Sequence, residues 1–214
     1  MHASDSLGAI GAFLALGGPV LAIILLLSVL ALTVFLVKLF QFRQLRVGRH
    51  TQLRNAIRQW DAGQRDEARQ TLARSGNYLA RVAAMAIAVD GREGARARLE
   101  SEAEQRLRML ERGLRFLDFV AQLAPLLGLF GTVLGMIEAF QAMQGAGAQV
   151  DPSVLAGGIW VALLTTAAGL ALAMPVSAAV AWLESRIDGE RALADLAIST
   201  VATPLPEAAG DGAA

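Results

Sequence analysis

The sequence predicts an all-α integral membrane protein with three transmembrane helices and long helices extending into the cytoplasm. Three observations predict it. Charge is absent from residues 6–37, 119–137 and 152–183, and each window can supply the roughly 20 apolar residues that a helix needs to cross about 30 Å of hydrocarbon. Composition agrees: 55% of the 214 residues are hydrophobic and only 18% charged, where a soluble domain has about a quarter charged. The formal net charge of +0 conceals the third observation, because every basic residue lies between Lys38 and Arg115 or at Arg186 and Arg191. Cytoplasmic segments of membrane proteins carry the excess of Lys and Arg. The arginine-rich region and the C-terminal tail are therefore expected in the cytoplasm, and the N-terminus on the far side of the membrane.

Taken in order, residues 1–18 read as an interfacial segment, broken from the first span by Gly17-Gly18. Their lack of a basic start and the length of the apolar run argue against a cleaved signal peptide. Transmembrane helix 1 covers 19–40, with Lys38, Arg43 and Arg46 as its cytoplasmic stop. The 41–117 region holds no proline, and its Ala, Leu, Arg and Glu favour helix. "TQLRNAIRQWDAGQRDEARQTLARSG" and "NYLARVAAMAIAVDG" read as helices closed by Gly76 and Gly91. A third helix begins near Glu93, supported by i,i+4 pairs Glu102–Arg106 and Glu104–Arg108. Nothing after Gly113 forces it to stop, so it is expected to run from about 95 to 142 without a break. Transmembrane helix 2 covers 118–142, a periplasmic loop 143–153, and transmembrane helix 3 residues 154–183. Residues 184–214 form a helix end and the disordered tail "TPLPEAAGDGAA".

Glycine and threonine carry the functional signal. Gly128, Gly131 and Gly135 in the second span, with Gly169 in the third, give faces on which helices pack closely in lipid. Thr132 lies mid-span in helix 2, and Thr165 and Thr166 lie mid-span in helix 3. A threonine can satisfy itself on a carbonyl one turn earlier. Threonines at matching depth in neighbouring helices also make a polar ring of the kind that lines ion or proton paths. Pro125 and Pro175, with Glu138, are candidate partner-contact or structural-motif residues of the two spans. Glu138 sits near the outer end of span 2, where interfacial water can reach it, and Asp118 and Glu184 read as boundary markers. No carboxylate lies mid-membrane, so a proton path would need an ionisable residue from another chain. His2 and His50 are isolated, no HExxH, GxSxG or P-loop is present, and there is no cysteine. No enzyme activity, metal, cofactor or nucleic-acid partner is expected.

"APLLGLFGTVLGMIEAF" in span 2 and "GIWVALLTTAAGLALAMP" in span 3 strongly resemble the MotA/TolQ/ExbB proton-channel family, closest to its ExbB and TolQ branches. "GGPVLAIILLLSVLAL" at span 1 and "LERGLRFLDFVAQLAP" before span 2 extend the resemblance over most of the chain. It implies a homopentamer in the bacterial inner membrane around a dimer of a single-span ExbD- or TolR-like partner. That partner would carry the proton-binding aspartate. Thr132 and Thr166 match the family's threonines and would face it. The output would energise TonB-dependent transport, through a TonB-like protein, or a related envelope process. Where the family reads "GIAEAL" this chain reads "GIWVAL", which puts Val161 in place of a glutamate and Trp160 beside it. The lack of a further cytoplasmic domain argues against the flagellar branch. Two other classes stay open: a self-sufficient ion channel, for which only Glu138 is available, and a non-conducting scaffold in which the threonines merely pack.

Overall fold

The computed structural model describes residues 2–45, 47, 48, 50–75, 79–88, 95–145 and 152–202. These form seven helices: α1 His2–Gln44, α2 Thr51–Asp61, α3 Arg65–Arg74, α4 Ala80–Ala88, α5 Ala95–Glu111, α6 Leu114–Gly145 and α7 Pro152–Ala202. No strand occurs among the described residues. The fold is all-α, and three helices are long and apolar enough to cross a membrane. The third has 51 residues, far more than the roughly 20 a crossing uses, so only its charge-free part is needed in lipid.

Glycines mark the helix breaks. Gly18 interrupts α1 with φ 61 and ψ −164, and Pro19 then restarts the helix, as proline can at a first turn. The single helix expected over 51–75 is instead two. Gly63 takes φ 75, donates to the Trp60 carbonyl at 3.1 Å, and Gln64 donates to the Gln59 carbonyl at 2.9 Å. That pair of bonds closes α2 as a Schellman cap. The continuous helix expected from 95 to 142 is also corrected: Gly113, at φ 89, separates α5 from α6. Gly76, Gly91 and the 203–214 tail lie outside the described residues.

The chain divides into two compact units. The first joins the span part of α1 to α6 and the first part of α7. Val20, Leu21, Ile24 and Ala31 of α1 turn inward at three- and four-residue spacing. Large apolar side chains such as Leu26, Leu32, Phe130, Val133, Leu163 and Met174 are exposed, a surface that suits hydrocarbon rather than water.

The second unit has an ordinary globular core. Trp60, Leu53, Leu79, Val82 and Ile198 are buried together with alanines of α3, α4 and α5, and Arg65 stacks over the Trp60 ring at 4.9 Å. The expected pairs Glu102–Arg106 and Glu104–Arg108 form at 2.8 and 3.4 Å. Arg191 of α7 reaches Glu111 at 2.7 Å and Glu104 at 3.6 Å. Lys38, part of the expected cytoplasmic stop, is buried, and its ammonium donates to the Leu110 carbonyl at 3.0 Å and to Gln41 at 2.9 Å. A cation there complements the negative end of α5. His50, isolated in sequence, lies 3.4 Å from the fully buried Glu190, which also accepts the Gly48 amide at 2.6 Å.

Candidate functional site

In α6 the buried positions Leu117, Val120, Ala124, Gly128, Gly131, Gly135 and Ala139 recur every three or four residues, so they form one stripe. Ala162, Thr165, Gly169 and Ala173 do the same in α7, and Val180 lies on the same face two turns further on. The two stripes face each other in antiparallel register. Gly158 meets Ala139, Gly135 meets Ala162, Gly131 meets Thr165, and Gly169 meets Ala124 and Gly128. Except at the end formed by Leu117, Val120 and Val180, the seam consists of glycine, alanine and threonine.

Backbone approach explains why glycine stands there. A Cβ at Gly128 would lie 2.9 Å from both the Thr165 carbonyl oxygen and the Thr166 Cα. At Gly131 it would lie 2.5 Å from the Thr165 hydroxyl oxygen. At Gly169 it would collide with the Ala124 carbonyl. Gly157, outside the seam, would have nothing within 4 Å. Dispersion contacts of this closeness hold helices together where lipid removes the hydrophobic drive.

The three threonines meet different surroundings. Thr165 is 2% exposed; its hydroxyl donates to the Ala162 carbonyl at 2.7 Å and lies 3.3 Å from the Gly128 carbonyl. It is enclosed between the helices of its own chain. Thr166, half-buried, donates to the same Gly128 carbonyl at 3.1 Å. Thr132, also half-buried, donates to Leu129 in its own helix at 2.6 Å. Gly128 lies one turn before Thr132, so the bond from Thr166 brings the two partly open hydroxyls to neighbouring turns. Each hydroxyl oxygen keeps acceptor capacity after donating its proton.

The structure thus gathers Thr165, Thr166, Gly128, Gly131, Gly135 and Gly169 into one seam, with Thr132 at its margin. It does not gather the others. Glu138 is exposed on α6, Pro125 is half-buried, and Pro175 is exposed on α7. Lacking an amide hydrogen, Pro125 and Pro175 leave the carbonyls of Ala121 and Ala171 without their usual helical donor. Val161 is half-buried and Trp160 is 64% exposed. Sequence reasoning missed Ala124, Ala139 and Ala162 as seam members. Their signal was the three- and four-residue spacing of small residues on both helices.

The profile of the MotA/TolQ/ExbB proton channel family matches residues 59–195. Biopolymer transport protein exbB1 of Vibrio cholerae serotype O1 is 50% identical over 66 residues, 31% of this chain and 29% of that protein. An ExbB-like biopolymer transport protein of Synechocystis sp. is 33% identical over 166 residues, 74% of this chain and 64% of that protein. The Tol-Pal system protein TolQ of Haemophilus influenzae is 43% identical over 79 residues, 37% of this chain and 34% of that protein. The chain spans less than two thirds of the length of each of these relatives.

Proposed function

Since the chain belongs to the MotA/TolQ/ExbB proton channel family, we propose that it is the stator subunit of a proton-motive-force-driven motor in the bacterial inner membrane. Five copies surround a dimer of an ExbD/TolR-like single-span partner. The N-terminus is periplasmic, and the arginine-rich unit and the C-terminus are cytoplasmic, as the placement of the basic residues favours. The relatives named for biopolymer transport and for the Tol-Pal system point to an envelope process as the output, TonB-dependent transport among them.

One observation carries the reading. The seam holds threonine hydroxyls at half-depth in two spans, and residues 119–137 and 152–183 contain no ionisable side chain. Hydroxyls can solvate a proton in transit but cannot hold its charge, so the titratable group comes from the partner. Protonation of the partner's carboxylate removes a charge that is expensive in lipid. The neutral group can then move past Thr132 and Thr166 to the next subunit, where it deprotonates. Thr165, enclosed within its own chain, keeps α6 and α7 in register rather than meeting the proton.

Native mass spectrometry of the chain, purified in mild detergent after co-expression with an ExbD/TolR-like protein of the same genome, tests the assembly. A five-plus-two complex is expected. A homo-oligomer that never retains a single-span partner would leave the path without a carboxylate and favour a scaffold.

A further inference from the structure

Beyond the seam, the second unit contains a cavity of about 440 Å³ between the end of α1 and the 182–186 turn of α7. Its charged wall is Arg43 and Arg186; its apolar wall is Leu39, Phe42, Val47 and Trp182. Among the described residues, neither guanidinium forms an ion pair and no acidic side chain lines the cavity. Glu190, four residues beyond Arg186, is instead committed to the Gly48 amide and His50. The Arg186 guanidinium lies 5.4 Å from the Trp182 ring centroid, a cation–π contact that holds it in place.

Position along the chain says what fits. Arg43 and Leu39 come directly after the charge-free run 6–37, and Trp182 and Arg186 straddle the end of the run 152–183. Both sides of the cavity therefore come from the depth where hydrocarbon gives way to headgroups, a zone that favours Trp and Arg. Two guanidiniums that pair with no acid among the described residues match the geometry of a phosphate's oxygens. A small soluble phosphate would leave Leu39, Phe42 and Val47 uncovered, whereas a lipid covers them with its glycerol and upper acyl carbons. We propose that this cavity binds an anionic phospholipid, with its phosphodiester held by Arg43 and Arg186 and its chains against Leu39 and Phe42. The site depends on the membrane spans and not on the motor reading, so either can fail alone.

The test uses the full chain in neutral detergent with Trp160→Phe, which leaves Trp182 as the exposed indole because Trp60 is buried. Trp182 emission is followed while phosphatidylglycerol, phosphatidylcholine or inorganic phosphate is added. Phosphatidylglycerol should give a saturable change; phosphatidylcholine has the same phosphodiester but offsets its charge with its own ammonium, which two guanidiniums repel, and should bind at least about tenfold more weakly. Arg43→Gln with Arg186→Gln should weaken phosphatidylglycerol binding by about tenfold. Arg54→Gln with Arg98→Gln, which removes two exposed arginines of the same unit, should change it by less than about twofold, since exposed charges act only through screened attraction. Equal responses to the two lipids, or equal losses in the two double variants, would overturn the site. So would the same response to inorganic phosphate alone, or a Trp182 change that tracks protein concentration without lipid, which would mean that a second copy covers the cavity. Discrimination between lipids by the parent chain decides the matter even if the Arg43/Arg186 variant does not fold.

Discussion

The two units hold their helices together in opposite ways. In the unit around Trp60, large side chains are removed from water: Trp60, Leu53, Leu79, Val82 and Ile198 are each no more than 2% exposed. In the membrane unit the α6/α7 seam is made of the smallest residues, and the largest apolar side chains point outward. The hydrophobic effect explains the contrast. Burying a large apolar group gains about 25 cal/mol per Å² only where the alternative is water. Against lipid that gain vanishes, and what remains is the closeness of backbone to backbone. Large-to-small changes should therefore break the unit around Trp60, and small-to-large changes the membrane unit.

Trp60→Ala tests the first half most strongly. It should cost about 3–5 kcal/mol, by lost transfer and by the cavity left behind. Trypsin reads this directly, because every basic residue lies outside the three charge-free windows. Digestion of the 41–117 region should accelerate sharply in the variant, while the membrane fragments stay intact.

Gly128→Val tests the second half. Its new carbons would meet the backbone of Thr165 and Thr166, which cannot yield as a side chain can, so a loss of about 1–3 kcal/mol or more is expected. The chain has no cysteine, so a disulfide between Gly135→Cys and Ala162→Cys can report the seam, where a Cβ at 135 lies 3.1 Å from that of Ala162. Cross-linking should be efficient in the parent and fall on adding Gly128→Val. Gly157→Ala, with open space around it, should leave the yield unchanged.

Thr165→Val separates packing from passage. Removing its hydroxyl should lower stability in detergent by about 0.5–1.5 kcal/mol, the net worth of one hydrogen bond. Proton-dependent transport should persist. Thr166→Val should do the reverse, with a small change in the unfolding midpoint and a large loss of transport in cells. At the small end, Arg96→Ala removes an exposed pair with Glu100 and should shift stability by less than about 0.5 kcal/mol, within the error of a thermal scan.

Much of this architecture could be read before any coordinates, because its causes are local. A run free of charge is visible residue by residue, and so are i,i+4 pairs and the small-residue spacing of the two spans. The breaks at Gly63 and Gly113 were not, since a glycine in a helical pattern can stay in the helix or leave it. Which it does depends on whether flanking residues such as Trp60 and Leu72 must turn back onto a shared core. Spacing alone did not separate Thr165 from Thr166, although the family resemblance singled out Thr166. Neighbours on a helix point about 100° apart, and only the position of α6 shows that one is enclosed and the other partly open. The contact of Gly48 with Glu190, 142 residues away, lies beyond any local pattern.

The most direct measurement is proton uptake by vesicles containing the chain with a single-span ExbD/TolR-like partner, under an imposed membrane potential. Parent, Thr165→Val and Thr166→Val should be compared at equal incorporation. The account predicts uptake by the parent and by Thr165→Val, a fall to the level of empty vesicles for Thr166→Val, and none from the chain without its partner. Undiminished uptake by Thr166→Val, or uptake by the chain alone, would contradict it.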